Sequence, residues 1–365
     1  MQAGLLDTYR RPLRRRSGAA WTLSAALLAA YLLLYFGPIP WLGIRVDVFE
    51  RAARAAGLDG KWTLYGLLYT AAMAAGGAYF LRRHGNSRYQ RVRTLVVVAV
   101  QVVLAFALPL VMRVFGSREY YFSYFWPLKI EYFYPSVILK QPFLIVLYSF
   151  VGSLAAFPLL AYVLGKRFYC SWVCGCGGLA NTAGEPFRHL SDKSAAAWRV
   201  EKVSIHTVLG LAVLATLTVG ANWAIGEDHP QFSRFAFEVQ RWYGFTIGAL
   251  FAGVLGVGLY PLMGTRVWCR FGCPMAALLG LVQKLGRFRI TVKKDMCISC
   301  GNCSTYCEMG IDVRRYAMAN QSLTRAACVG CGLCQHVCPR GVLRLENLPR
   351  RRKAGAAIRV HAVDP

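Results

Sequence analysis

The sequence has little charge and very few acidic residues. Only 16% of its 365 residues are charged, with 17 Asp and Glu against 43 Lys and Arg, while 56% are hydrophobic. So little charge at this length excludes an ordinary soluble protein and indicates a chain that lies largely in a membrane. The net charge of +26 would also suit a nucleic-acid binder, so the position of the basic residues has to decide between the two.

The hydrophobic runs lack the marks of several other classes. None carries a row of carboxylates or arginines typical of an ion pathway, and Gln101, His206 and Asn222 are their notable polar side chains. No small-residue cleavage pattern follows the first run, which argues against a removed signal peptide. The 13 cysteines are clustered and not spread between distant loops, which excludes a disulfide-stapled secreted domain and favours metal binding on the cytoplasmic side.

Six apolar runs are long enough to cross about 30 Å of hydrocarbon. We therefore predict a membrane domain over 19–265 with six spanning helices. Of the 43 Lys and Arg residues, 33 fall on the side of the two termini, which places both termini in the cytoplasm. This accounts for most of the net charge, so we predict membrane lipid and no nucleic acid as a partner of the basic N-terminus (1–18) and tail (349–365). The runs are 19–36, 62–81, 94–112, 143–165, 203–225 and 242–264.

The outer side carries an unusual density of aromatic residues. Ten of the twenty residues of 115–134 are aromatic. They suit an interfacial belt, a docking surface for a periplasmic partner or an entrance for a quinone ring. The only polar group that suggests a quinone site is His206, with Glu201 nearby, although such a histidine also suits a helix end.

Eight cysteines form two runs after the last span, offset by 31 residues, each of the form Cys-x2-Cys-x2-Cys-x3-Cys. Three thiolates two residues apart surround one corner of a cubane cluster, and the fourth cysteine of each run ligates the other cluster. Zinc sites use two pairs per ion and fit this spacing poorly. We predict one [4Fe-4S] cluster on Cys297, Cys300, Cys303 and Cys338, and a second on Cys328, Cys331, Cys334 and Cys307.

Short strands at 288–292 and 342–345 flank these runs and predict an α+β two-cluster ferredoxin domain over 291–348, joined to the membrane domain by a linker at 266–290. The two runs differ at one position. Glu308 follows Cys307, whereas Pro339 follows Cys338. We expect this difference to change the local backbone and the potential of one cluster.

Two further sites lie where the fourth and sixth predicted spans reach the cytoplasm, at 170–176 and 269–273. They match at an offset of 99 residues, each with Cys-x3-Cys. A pseudo-repeat of helix pairs would bring the two sites together about an axis along the membrane normal. Four thiolates gathered in this way would suit a third cluster, a soft metal such as Cu(I) or a redox dithiol pair. The polar stretch 166–202 is expected to cover the first site.

With these features the chain resembles the NapH/MauN group of membrane polyferredoxins, which is related to the C-terminal halves of NosR regulators and to the CcoG (FixG/RdxA) proteins. The resemblance covers about 143–347. The group's sites read Cys-x3-Cys-Pro, which Cys269, Cys273 and Pro274 match, whereas Gly175 and Cys176 follow Cys174. The candidate metal residues are thus Cys170, Cys174, Cys176, Cys269 and Cys273.

The resemblance implies a multi-pass protein of the bacterial inner membrane that carries electrons for a quinol dehydrogenase-like respiratory system, with cytoplasmic or periplasmic redox partners. The leading hypothesis is an iron–sulfur electron-transfer subunit between the quinone pool or a cytoplasmic donor and a respiratory partner. The alternative is an assembly factor for a copper oxidase or reductase, in which the membrane-edge cysteines reduce or transfer the metal.

Overall fold

The computed structural model describes residues 16–38, 46–116, 118–225 and 229–348. The predicted basic tail 349–365 and residues 1–15 of the predicted N-terminal segment lie outside these residues. Most described residues are helical, and a two-stranded sheet lies near the C-terminal end. The elements are α1 Gly18–Phe36, α2 Val48–Ala55, α3 Lys61–His84, α4 Arg88–Val114, α5 Pro135–Ile138, α6 Phe143–Leu164, α7 Arg167–Cys170, α8 Gly175–Asn181, α9 Ala195–Ile225, α10 Pro230–Tyr243, α11 Tyr260–Met263, α12 Val267–Phe271, α13 Pro274–Leu285, β1 Phe288–Val292, α14 Asn302–Thr305, α15 Val313–Met318, α16 Leu333–His336 and β2 Leu343–Asn347.

Five of the described helices, namely α1, α3, α4, α6 and α9, are long and apolar enough to cross a membrane. They correspond to the first five predicted runs and make the chain a multi-pass membrane protein. Because lipid offers no hydrogen bonds, several of their polar side chains bond within the protein. The hydroxyl of Ser24 donates to the carbonyl of Gly258 at 2.6 Å and so joins α1 to the chain that follows α10.

The sixth predicted span, 242–264, is helical but is not among these five helices. The end of α10 continues through the π-helical segment Gly244–Leu255 and the short α-helical segment Gly256–Gly258, and the helix breaks at Leu259 before α11. Pro261 in α11 has no N–H to continue the helical hydrogen bonds. A sixth span therefore stays a prediction.

Strands β1 and β2 form an antiparallel pair in which Phe288 lies opposite Asn347 and Val292 opposite Leu343. The first strand matches its prediction, and the second begins one residue later and ends two residues later than predicted. Phe288 and Ile290 point into the core, as the alternation of a half-buried strand requires. The iron–sulfur module thus closes its own small sheet around the cysteine runs.

The segment 266–290, predicted as a linker, contains α12 and α13 and is largely buried. The reason is that α13 packs against both α6 and α9, so its apolar residues lie between membrane helices. Leu279 in its middle is fully buried. The iron–sulfur module therefore begins directly on the membrane helices.

One continuous hydrophobic cluster joins the membrane edge to the iron–sulfur module, with Tyr169, Trp268 and Leu279 on one side and Phe288 and Val329 on the other. Polar contacts cross the same boundary. Their donors and acceptors are Tyr89 hydroxyl to Gly330 carbonyl at 2.8 Å, Gln90 amide to Cys331 carbonyl at 2.9 Å, Ser171 hydroxyl to Val329 carbonyl at 2.7 Å, and Arg287 N–H to Tyr162 carbonyl at 2.8 Å. The module is thus packed against the membrane helices.

Candidate iron–sulfur centres and membrane cavity

The structure brings the eight cysteines of the two runs together in two groups of four. Each group lines its own small cavity, and the cysteines from the two runs mix as the sequence predicts. The first cavity is lined by Cys297, Cys300, Cys303 and Cys338, the first ring of cysteines, and the second by Cys307, Cys328, Cys331 and Cys334, the second ring. Their role as ligands remains a prediction.

The two runs also share their local backbone. Gly301 and Gly332, 31 residues apart, both have left-handed conformations with φ of 82° and 76°, which glycine adopts without a steric penalty. Each precedes a short helix, α14 or α16, that carries the third cysteine of its run. The fourth cysteines match as well, because the Ile311 N–H donates to Cys307 Sγ and the Val342 N–H to Cys338 Sγ, both at 3.4 Å.

The donor set fits an iron–sulfur cluster. Burial raises the pKa of Cys303 to about 12 and that of Cys328 to about 12, so both thiols would hold their protons near neutral pH unless a bound cation removed them. Iron supplies that positive charge, and backbone N–H groups directed at sulfur are among the contacts that tune such clusters.

The membrane-edge cysteines are gathered in one place. Cys170, Cys174, Cys269 and Cys273 are each at most 6% exposed, belong to one buried cluster and lie within range of one another's charge. Their fifth neighbour, Cys176 on α8, shares a hydrogen bond with the Cys174 thiol. All five candidate residues thus lie close together, although the sites are 99 residues apart in sequence.

The two membrane-edge sites have similar backbones. Gly165 has φ 76° and ψ 167°, and Gly264 has φ 89° and ψ 174°. A short helix carrying Cys170 or Cys269 follows each glycine, and Cys174 and Cys273 are the extended N-cap residues of α8 and α13. The local match extends the sequence match, while a repeat of whole helix pairs stays a prediction.

A buried carboxylate lies between the membrane edge and the second ring of cysteines. Glu308 Oε1 accepts a hydrogen bond from Arg266 Nη2 at 2.8 Å, and Oε2 forms an ion pair with Arg188 Nη1 at 2.9 Å. Arg266 Nη1 also donates to Cys269 Sγ at 3.6 Å, while Arg188 Nη1 lies 4.0 Å from Cys331 Sγ. Burial opposes the ionisation of Glu308, but the two arginines outweigh it and lower its pKa to about 2.

The same network continues toward the end of α3 and the beginning of α4. Arg188 also pairs with Glu185 at 2.6 Å, and Glu185 contacts His84 Nε2 at 3.0 Å. Arg93 and Arg188 share the side-chain carbonyl of Asn181. The stretch 166–202, expected to cover the first cysteine site, therefore carries residues that lie between this site and the iron–sulfur module.

A cavity of about 890 Å³ extends from the aromatic segment of the predicted outer side to Cys176 at the membrane edge. Arg113, Glu119, Lys129 and Glu131 contribute charged groups to its lining. Arg241 is a further charged residue of the lining, and the rest of the wall is rich in aromatic residues, including Tyr35, Trp62, Tyr65, Tyr69, Tyr121, Tyr124, Tyr134 and Tyr243, together with Cys176 and Trp268. Aromatic residues of 115–134 thus line a cavity in addition to any interfacial role.

Polar groups converge beside the Cys176 end of the cavity. The Tyr69 hydroxyl donates to Gln101 Oε1 at 3.3 Å, and the Gln101 amide donates to the Val173 carbonyl. The hydroxyls of Tyr69 and Tyr124 both approach Gly175, at 2.7 and 2.9 Å from where a Cβ would stand. The sequence marked Gln101 as unusual but gave no sign of its partners, Tyr69 on α3 and Val173 just before α8.

His206, the residue that the sequence suggested for a quinone, is not part of this cavity. It is exposed in the interior of α9, which begins at Ala195, and so does not lie at a helix end, and its Nδ1 contacts the Lys202 carbonyl at 2.6 Å. In the described part of the chain, no group of three or more His, Cys, Asp or Glu residues is arranged to hold a single metal ion.

Comparisons with known proteins match the cysteine-bearing part of the chain. A family model described as a 4Fe-4S dicluster domain matches residues 290–345. A second, described as a 4Fe-4S binding domain, matches twice, at residues 144–194 and 244–293, and each match contains one membrane-edge site. No solved structure matches the chain.

Three relatives illustrate the similarity. The methylamine utilization ferredoxin-type protein MauN of Paracoccus denitrificans is 29% identical over 46% of this chain and 61% of its own length. The putative electron transport protein YccM of Escherichia coli is 26% identical over 44% of this chain and 46% of its own length. The regulatory protein NosR of Pseudomonas aeruginosa is 24% identical over 47% of this chain and 24% of its own length.

The chain spans less than two thirds of the length of each of these relatives. The matched part is the one that carries both kinds of cysteine site. This similarity and the cysteine motifs support a MauN/NapH-like family of membrane polyferredoxins, related to NosR, for this chain.

Proposed function

We propose that the protein is a membrane-bound iron–sulfur subunit that relays electrons between the quinone pool or a cytoplasmic donor and a respiratory partner. One observation carries the proposal. Two rings of four cysteines are packed, through a continuous buried core, against four more cysteines at the membrane edge. The names of the relatives, a ferredoxin-type protein and an electron transport protein, support the same role.

In this proposal each ring of cysteines holds one [4Fe-4S] cluster, with the two ligand sets predicted from the sequence. Such a cluster supplies a site that takes up and releases one electron at a potential set by its surroundings. The protein contributes the thiolates, the N–H donors to Cys307 and Cys338 and the burial of the second ring. Cys300 of the first ring is exposed, which favours that ring as the point of contact with a cytoplasmic partner.

We assign a third centre to Cys170, Cys174, Cys269 and Cys273. The twofold match of the 4Fe-4S binding model to these segments supports a cluster over a copper site or a dithiol. In the same proposal the helices that carry the two sites form the predicted pseudo-repeat of helix pairs, 242–264 is a sixth span, and both termini face the cytoplasm. The relay then extends from the cytoplasm to the membrane edge.

The quinone part of the proposal is supported by the cavity. A largely apolar cavity with a few convergent polar groups is typical of small-molecule sites. The hydroxyl of Tyr124 can donate a hydrogen bond to an oxygen of a quinone ring, and Cys176 lines the same cavity next to Cys174. The cavity would thus bring the ring beside the membrane-edge cysteines.

The test is an iron and acid-labile sulfide count with low-temperature EPR on the anaerobically purified protein. Three cubane clusters require about 12 Fe per chain and two require about 8. We expect about 12 Fe in the unmodified protein and about 8 in the Cys170→Ser, Cys273→Ser double variant. The matched control is Cys176→Ser, which should keep about 12 Fe because Cys176 lies outside the four assigned ligands.

A count near 8 in every variant would overturn the third centre and bring forward the assembly-factor hypothesis. A count near zero in protein that is purified without oxygen and remains folded would overturn the electron-transfer proposal itself. Reduction of the centres by a menaquinol analogue tests the quinone part separately. Reduction by dithionite but not by the quinol analogue would remove the quinone pool from the proposal.

A further inference from the structure

The two halves of the iron–sulfur module have equivalent cysteine runs but differ in the residue that follows the fourth cysteine. Glu308 follows Cys307, and at the same position in the other half Pro339 follows Cys338. Glu308 is completely buried, whereas Pro339 is exposed. The proline position thus faces solvent, whereas the glutamate position faces the membrane-edge site. The two halves differ at this position because only one of them is packed against the membrane-edge site.

The carboxylate of Glu308 links two arginines that each contact a different cysteine site. Arg266 contacts the Cys269 sulfur and donates to the Cys170 carbonyl at 3.3 Å, so it belongs to the membrane edge. Arg188 contacts the Cys331 sulfur, so it belongs to the second ring. Each arginine contacts one oxygen of the same carboxylate.

The buried charges of this network do not cancel among themselves. Arg93, Arg188 and Arg266 are at most 1% exposed, and Glu185 and Glu308 are the carboxylates that oppose them. Buried positive charge that exceeds its carboxylate partners requires other anions nearby. A cysteine sulfur of each site contacts one of these arginines, Cys331 beside Arg188 and Cys269 beside Arg266. The positive charges of Arg188 and Arg266 therefore stabilise negative charge at both cysteine sites, and the carboxylate of Glu308 partly offsets this stabilisation.

The geometry points to Glu308 as the positioning residue that joins the membrane-edge site to the Cys307, Cys328, Cys331 and Cys334 site and keeps the reduction potentials of both centres low. This inference rests on the proposed clusters. Added negative charge disfavours reduction of a nearby centre, and removal of that charge favours it. The centre on Cys297, Cys300, Cys303 and Cys338 lies at the other cavity and has no contact with Glu308 among the described residues.

The experiment is an EPR-monitored redox titration of the complete protein with Glu308→Gln, which removes the charge and keeps the shape. We expect positive shifts in the midpoint potentials of the two joined centres and a much smaller shift in the centre on Cys297, Cys300, Cys303 and Cys338. Arg266→Gln removes the opposite charge and should shift the membrane-edge centre in the negative direction. General damage to the fold would not produce shifts of opposite sign.

The matched control is Glu201→Gln. Glu201 is also buried and pairs with an arginine, Arg270, at 2.6 Å, but none of its described contacts reaches a cysteine sulfur. Equal shifts in Glu308→Gln and Glu201→Gln, or no shift in the presence of a full iron content, would overturn the inference and leave the proposed function intact. Absence of the centres from the unmodified protein would instead overturn the proposed function.

Discussion

The close approach of Gly165 to Phe288 provides a quantitative test of how the iron–sulfur module is packed against the membrane helices. Gly165 ends α6 with φ 76° and ψ 167°, and a Cβ at this position would lie 2.6 Å from the Phe288 Cβ. We expect Gly165→Ala to destabilise the protein by about 2–6 kcal/mol. About 1–3 kcal/mol comes from forcing alanine into a backbone region reserved for glycine, and about 1–3 kcal/mol from overpacking against β1.

The assay is thermal unfolding in detergent, followed by circular dichroism and by release of iron. The matched control is Gly210→Ala on α9, where a Cβ would meet nothing within 4 Å and alanine is the better helix former by about 1 kcal/mol. Gly264→Ala should resemble Gly165→Ala, because φ is 89° and the Ser191 hydroxyl would lie 2.5 Å from the new Cβ. If Gly165→Ala unfolds at the same temperature as Gly210→Ala, the packing of Phe288 on Gly165 is wrong.

Three further predictions concern the cavity and the clusters. Gly248→Trp on the cavity wall should abolish reduction of the centres by a menaquinol analogue without loss of iron. The control Gly210→Trp, at an exposed position where a Cβ also meets nothing within 4 Å, should leave reduction unchanged. Equal reduction rates in the two variants would contradict a quinone in the cavity. Tyr124→Phe removes one hydrogen-bond donor worth about 0.5–1.5 kcal/mol and should weaken binding of a quinone analogue about 2–13-fold in a titration, and unchanged affinity would place the ring elsewhere. Anaerobic removal of iron with a chelator should raise hydrogen exchange within 290–345, where the cysteine rings hold short helices together, more than in α9, and equal protection with and without iron would count against clusters in the rings.

Much of the site could be predicted from the sequence because its information is local. Cysteines two or three residues apart lie within one turn of backbone, so their spacing already restricts what they can surround. The grouping of Cys338 with the first run and of Cys307 with the second also followed from this spacing, and the structure brings those residues to the same two cavities. Long apolar runs similarly indicated the five described helices that could cross a membrane.

The helical form of 266–290 could not be predicted in the same way. The segment is short and follows an apolar run, which is typical of a linker, but α13 becomes buried because α6 and α9 leave a space between them. Likewise His206 stood out as a polar residue in an apolar run, yet its side chain is exposed at the helix surface. The burial of α13 and the exposure of His206 both depend on how helices distant in the sequence are packed, which the local residues do not specify.

The sequence by itself determined the class of the protein, five helices that could span a membrane, the two groups of four cysteines and the match between the membrane-edge sites, because each depends on residues close together in the chain or on composition. Only the tertiary structure decided that Cys176 lines an aromatic cavity, that Tyr69, Tyr124 and Gln101 meet beside it, and that Glu308 lies between Arg188 and Arg266. These contacts join segments between about 30 and 120 residues apart. Such partners are selected by packing and by the need to pair buried charges, which no local spacing encodes.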